Sequence, residues 1–241
     1  MSAHLARPGA LCLDVDAVLL DIEGTISSKA FVRDVLFAYS RRHLQDFVAT
    51  HADEPETAAI LKAASALAGH GDAVAALADW QERDVKAPPL KAIQGLIWES
   101  GYSAGAFRSP IFPDALAALR RWRAVGLPLF VYSSGSLKAQ ALFFRYNEEG
   151  DLRELFSGHF DTEIGAKIEA ASYVRIVDTI GVPPGDILFL SDDARELAAA
   201  LAAGLRVAQV VKEDTPAQDC FPVVADFSML DLALRTPAGA S

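Results

Sequence analysis

Three apolar runs in this chain stop at residues that can handle a phosphoryl group. Ala17-Val18-Leu19-Leu20 ends at Asp21, Pro128-Leu129-Phe130-Val131-Tyr132 at Ser133 and Ser134, and Ile187-Leu188-Phe189-Leu190 at Ser191 and Asp192. A carboxylate at a strand end, such as Asp21, can attack phosphorus and form an aspartyl-phosphate. Asp192 is a second carboxylate, suited to a hard cation, because magnesium takes oxygen ligands and is usually held by one or two carboxylates plus phosphate and water. Such an ion also relieves repulsion between a carboxylate nucleophile and an anionic ester. Ser134 and nearby backbone N–H groups can bind phosphate oxygens, and Lys167 can neutralise charge at the phosphoryl group. Glu23, two residues after Asp21, can protonate the leaving oxygen and later activate water.

Each residue alone has a plainer reading. Asp21 could merely end a strand, Ser133 and Ser134 could cap a helix, and Lys167 could be a solvated helix residue. The combination of nucleophile, acid/base, cation and phosphate donors argues for a site. Asp192 is preferred over Asp193 as the metal ligand because it follows Ser191 directly after the strand.

These groups lie far apart in sequence, so the fold must gather them. The apolar runs read as buried strands, and helical patterns separate them: Asp114 to Ala124 after Pro113, a helix from about Leu137, Lys167 to Ile180, and Glu196 to Ala203. His159-Phe160-Asp161 and Arg206 to Val211 add two more strands, and the tail after Asp231 reads as frayed. Strand–helix alternation predicts an α/β fold with a parallel sheet, and ligands of such sheets bind beyond the carboxyl ends of the strands. From Phe31 to about Ala104 the pattern is helical throughout, ended by Gly101 and Gly105. Residues 1–26 and 108–241 are therefore expected to form the α/β core domain, with residues 27–107 an all-helical cap inserted after the first strand.

Composition narrows the function classes. Of 241 residues, 51% are hydrophobic and 22% charged, as in ordinary globular proteins. The net charge of −10, without a basic stripe, argues against a nucleic-acid partner. Two widely spaced cysteines suit a reducing compartment rather than a disulfide or zinc scaffold. No signal peptide or membrane-length apolar run is read, so a cytoplasmic location and no membrane partner are expected.

Asp21-Ile22-Glu23-Gly24-Thr25, Ser134, Lys167 and Asp192 together resemble the four motifs of the haloacid-dehalogenase-like (HAD) hydrolases. The usual first motif of their phosphatases is D-x-D-G-T, and here Glu replaces the second Asp. That variant resembles the enolase-phosphatases of methionine salvage, also called acireductone synthases. Further stretches are similar to that subgroup: Phe31 to Phe37, Leu90 to Trp98, Tyr132 to Ser136, Gly150 to Leu152, Phe160 to Thr162 and Ile187 to Asp192. The resemblance runs from about Val18 to Val211 and includes the helical block.

It implies a HAD-like Rossmannoid core with a helical cap, Mg2+ as cofactor, and a small phosphate ester as substrate. The reaction it implies enolises 2,3-diketo-5-methylthiopentyl-1-phosphate and then removes the phosphate. Asp21 and Glu23 would be catalytic, Asp21, Glu23 and Asp192 would hold the metal (Glu23 in many relatives through its backbone carbonyl), and Ser133, Ser134 and Lys167 would bind substrate. The expected form is a monomer. Departures include Lys29-Ala30 after the first motif and Arg145-Tyr146-Asn147, with Lys29 and Tyr146 placed to touch the cap side of the pocket. Two competing readings are a HAD-like phosphatase for another ester, which normally carries the second Asp, and a non-catalytic binding protein on this fold, which would lack one of Asp21, Lys167 or Asp192.

Overall fold

The computed structural model describes residues 11–69, 71–212 and 215–235. The reading of residues 1–10 and the end of the tail lie outside them. No helix among the described residues is long and apolar enough to cross a membrane.

The strands are β1 (Leu11–Val15), β2 (Ala17–Leu20), β3 (Leu129–Tyr132), β4 (Gly158–Phe160), β5 (Ile187–Ser191), β6 (Arg206–Val210), β7 (Val223–Val224) and β8 (Leu230–Leu234). Six of them form one sheet in the order β4-β3-β2-β5-β6-β7, and every pairing is parallel. β2 and β5 are buried at every position, as strands covered on both faces must be. Helices α5 (Pro113–Ala124), α6 (Leu137–Arg145), α7 (Ala170–Ile180) and α8 (Ala194–Ala202) connect the strands. Two apolar clusters fill the core. One is centred on Leu20, Trp122, Val131 and Leu190, the other on Leu19, Tyr132, Tyr173 and Phe189.

The order places β2 between β3 and β5, and the chain winds outward from it on both sides. That is the topological switch point, where an open parallel sheet leaves a crevice at its carboxyl edge. The residues after these three strands are Asp21, Ser133 and Asp192.

Between β2 and α5 the chain is helical, as the periodicity predicts. A π-helical stretch, Phe31–Phe37, leads into α1 (Ala38–His51), followed by α2 (Pro55–Ala68), α3 (Ala73–Glu82) and α4 (Pro88–Ser103). These helices bury their own apolar cluster, including Leu44, Ile60, Leu77, Ile93 and Ile97. Phe31, Leu36, Trp98 and Tyr102 instead pack into the main core. Trp98 Nε1 donates to the Leu36 carbonyl at 2.8 Å, close to where the winding passes from π to α.

Four expectations are corrected. The tail is ordered through Leu234, because β8 pairs in parallel with β1 in a separate two-stranded ribbon. Both segments alternate, Leu-Cys-Leu-Asp-Val and Leu-Asp-Leu-Ala-Leu, the pattern of a strand with one wet face. Gly101 does not end the helical block. It lies inside α4, where a Cβ would meet the Phe107 and Tyr39 rings at 2.8 Å. Lys167 precedes its helix, since α7 begins at Ala170 and Tyr173 Oη caps the Lys167 carbonyl at 2.8 Å. The helix after β3 is capped by Ser136, not Ser133 or Ser134, and its side chain accepts from the Ala139 N–H.

Candidate active site

The first loop is shaped by Gly24. Its φ of +77° is a conformation that side-chain-bearing residues rarely take, and an added Cβ would lie 2.6 Å from Asp192 Oδ2. Only glycine lets this backbone pass so close to the carboxylate. Thr25 ties the same loop to the end of β5, its hydroxyl accepting from the Asp192 N–H at 3.1 Å. The ladder also continues beyond the strands: Asp21 N–H donates to the Leu190 carbonyl at 3.0 Å and Ser133 N–H to the Phe160 carbonyl at 3.1 Å. Sheet hydrogen bonding thus extends up to Asp21 and the Ser133–Ser134 loop.

Asp21 and Lys167 are both buried and form an ion pair of 2.5 Å. Lys167 makes a second pair of 2.8 Å with Glu196, which also accepts from Ser191 Oγ at 2.9 Å. Its ammonium further lies 5.7 Å from the Tyr132 ring centroid. Burial pulls the Lys167 pKa down, but Asp21 and Glu196 outweigh it and raise the pKa above its ordinary value. Lys167 is therefore a fixed cation.

Glu23 has its carboxyl pushed from 4.5 to about 7, first by burial and then by Asp21. It stands near half-ionisation at neutral pH, the property required of a group that gives and takes one proton. Glu196 is likewise raised to about 7 by burial and Asp21. Asp192 is raised by burial, with Lys29 opposing. Asp193 turns outward, caps α8 through the Arg195 N–H and pairs with the Arg195 guanidinium at 2.6 Å. That division of labour supports Asp192 as the inward carboxylate.

Ser133 is buried and its hydroxyl accepts from Gly135 N–H at 3.3 Å. Ser134 is exposed, and its carbonyl takes a 3.2 Å bond from Lys91 of α4, whose ammonium is also 3.4 Å from Thr162 Oγ1. Asp21, Lys167 and Asp192 are thus gathered at the end of the sheet beside the Ser133–Ser134 loop. One residue here, Glu196, has no role in the sequence analysis, and another, Lys29, has a different one. Glu196 is a charge on the buried Leu197–Ala200 side of α8, and that misplacement was its signal. Lys29 was read toward the cap, but it forms an ion pair with Asp192 Oδ2.

Asp21, Glu23, Asp192 and Glu196 set four acidic groups against two lysines, Lys29 and Lys167. That imbalance, together with an all-oxygen donor set, fits a hard divalent cation. Among the described residues no three Asp, Glu, His or Cys side chains form a metal cage. The buried strand-end carboxylates Asp21 and Asp192 are the sparse kind of set that suits magnesium, which completes its shell with substrate oxygens and water.

The chain is similar to known proteins in sequence and in fold. The family model described as haloacid dehalogenase-like hydrolase covers residues 15–204. An enolase-phosphatase of Bradyrhizobium is 58% identical over 223 residues, covering 92% of this chain and 97% of that protein. One of Pseudomonas aeruginosa is 51% identical over 221 residues, covering 90% and 98%. The solved structure of the UTR4 protein of Saccharomyces cerevisiae superposes with a TM-score of 0.77 at 31% identity, covering 90% of this chain and 100% of that one. The chain belongs to the haloacid dehalogenase-like hydrolases and, within them, to the enolase-phosphatases.

Proposed function

We propose that the chain enolises 2,3-diketo-5-methylthiopentyl-1-phosphate and dephosphorylates the enol to the acireductone of methionine salvage. Asp21 and Glu23 are the catalytic pair, and Asp21, Asp192 and the Glu23 backbone carbonyl hold Mg2+. We further take it to act in the cytoplasm as a monomer, since a single chain supplies every site residue. The observation that carries the reading is the buried Asp21–Lys167–Glu196 chain of charges beside a Glu23 that titrates near neutrality.

The phosphoryl step follows from these groups. An Asp21 oxygen attacks phosphorus, forming an aspartyl-phosphate as the bond from phosphorus to the substrate oxygen breaks. Glu23, protonated, gives its proton to the departing oxygen. Glu23, now ionised, takes a proton from the water that attacks the aspartyl-phosphate, so inorganic phosphate leaves and both carboxyls return to their starting states. Lys167 keeps Asp21 oriented and offers positive charge to the phosphoryl oxygens, while Ser133, Ser134 and the adjoining N–H groups receive them. Magnesium, when bound, supplies charge neutralisation at the phosphoryl group and polarises a diketone oxygen for enolisation. A base must remove the proton on the carbon beside the carbonyl, and a half-ionised Glu23 can do so.

The test is an anaerobic assay with the diketo-phosphate, following phosphate release and enediol absorbance together. Both signals should appear, vanish with chelator and be absent in Asp21→Asn. Phosphate release from other esters but not this one would leave the phosphatase chemistry and remove the substrate assignment. No release from any ester would remove both.

A further inference from the structure

We propose that Lys29 is a tethered counter-ion that competes with magnesium for Asp192 and must withdraw for the ion to bind, so that it sets how tightly this chain takes its metal. The inference rests on the metal reading above, with Asp192 as a ligand.

The two lysines of the site differ in kind. The Lys167 side chain is 7% exposed and held by two carboxylates and an aromatic ring. The Lys29 side chain is 53% exposed, and its one ion pair is with Asp192, whose side chain is 5% exposed. Among the described residues Lys29 is also Asp192's one ion-pair partner. Lys29 brings a positive charge to this buried carboxylate from the solvent side.

The geometry makes this cation exchangeable. Lys29 stands on the first helical residue, directly ahead of the π-helical stretch 31–37, where the Ala30 N–H is bonded to Ser28 Oγ at 3.0 Å. Its Cε lies against Gly24, 2.5 Å from where a Cβ would be, so the stem crosses the motif loop and only its tip reaches the carboxylate. Withdrawal returns an already half-wet side chain to water and exposes no apolar core. Magnesium sits about 2 Å from its oxygens. An ammonium on the same carboxylate would face the divalent ion at contact range, whichever Asp192 oxygen the metal takes, and the two cations repel. The apparent affinity is therefore lowered by the fraction of molecules in which Lys29 has withdrawn.

The test is magnesium titration by calorimetry on wild type, Lys29→Met, Lys29→Gln and Lys29→Arg, with thermal unfolding in chelator alongside and Asp192→Asn as control. Removing the charge should tighten Mg2+ binding by about 5-fold or more in both neutral variants, the factor for one unit charge about 4 Å away at the dielectric of bulk water. Lys29→Arg should stay near wild type. In chelator the neutral variants should unfold at lower temperature than wild type, and saturating magnesium should raise their Tm by more. Unchanged or weaker binding in both neutral variants, with Asp192→Asn still abolishing it, overturns the role of Lys29 and leaves the metal reading intact. No magnesium binding to wild type overturns the metal reading, and the proposal with it.

Discussion

Glu196 stands 2.8 Å from the Lys167 ammonium, and that ammonium stands 2.5 Å from Asp21. Asp21, the proposed nucleophile, is therefore oriented by a cation that is itself oriented by a carboxylate of α8. Glu196 does not face substrate in this scheme, and it acts by positioning. Glu196→Gln keeps the shape and removes the charge, and losses at such supporting residues run about 10–100-fold. The expected result is a kcat lower by that factor with KM little changed, partly restored by Glu196→Asp. Steady-state phosphate release checks it, and a wild-type kcat in Glu196→Gln would remove Glu196 from the machinery.

Gly24→Ala should injure the metal site more than the fold. The φ of +77° costs a residue with a Cβ about 1–2 kcal/mol, which in a domain of this size lowers Tm by roughly 2–8 °C. The new methyl would also press on Asp192 and on the Lys29 stem. Displacing the ligand carboxylate should weaken Mg2+ binding by about 10–100-fold. Calorimetry and thermal unfolding separate the two effects, and intact metal binding in a destabilised protein would show that Asp192 tolerates the shift.

The fold was legible where one signal dominated. β2, β3 and β5 read as strands because each is a short, wholly apolar run, and their chemistry stood at their ends. The ribbon of β1 and β8 was not legible, because its two segments lie at opposite ends of the chain and carry Asp14 and Asp231 among their leucines. Of the residues that a motif singles out, Asp21, Lys167 and Asp192 are buried, and Asp21 and Lys167 meet in an ion pair. Glu196 is not legible in the sequence, and Lys29 is legible only as a residue near the pocket, since their partners are side chains of distant elements. An isolated glutamate on an alanine-rich helix, or a lysine after a glycine loop, specifies no partner until the sheet order is known.

Glu23 gives the fold a pH dependence that can be measured without metal. Its carboxyl moves from 4.5 when exposed to about 7 when folded, through burial and then Asp21. A raised folded pKa means the proton is held more tightly in the native state. Its stabilising contribution is complete below pH 4.5 and is lost as the pH climbs through about 7. Glutamine mimics the protonated form at every pH. In chelator, Glu23→Gln should therefore unfold a few °C above wild type at pH 8, with the gap closing by pH 5, since each kcal/mol moves Tm by about 2–4 °C here. Glu196 titrates in both proteins and cancels in the difference. An equal gap at pH 5 and pH 8 would mean that Glu23 is solvated.

Lys91 joins the helical block to the phosphate loop, from α4 to the Ser134 carbonyl at 3.2 Å and Thr162 Oγ1 at 3.4 Å. This contact ties that helix to the exposed Ser134. A hydrogen bond from a charged donor contributes about 1.5 kcal/mol at the low end, or roughly tenfold in an equilibrium. Lys91→Met should raise KM for the phosphorylated substrate by up to about that factor, with Lys91→Arg retaining most of the affinity. It should also speed amide hydrogen exchange in residues 134–138 and in the first turn of α4, because the loop loses its tie to the helix. Faster exchange with an unchanged KM would make Lys91 a structural latch alone. Unchanged exchange and KM together would mean that α4 is held over the loop by its apolar contacts and not by this ammonium.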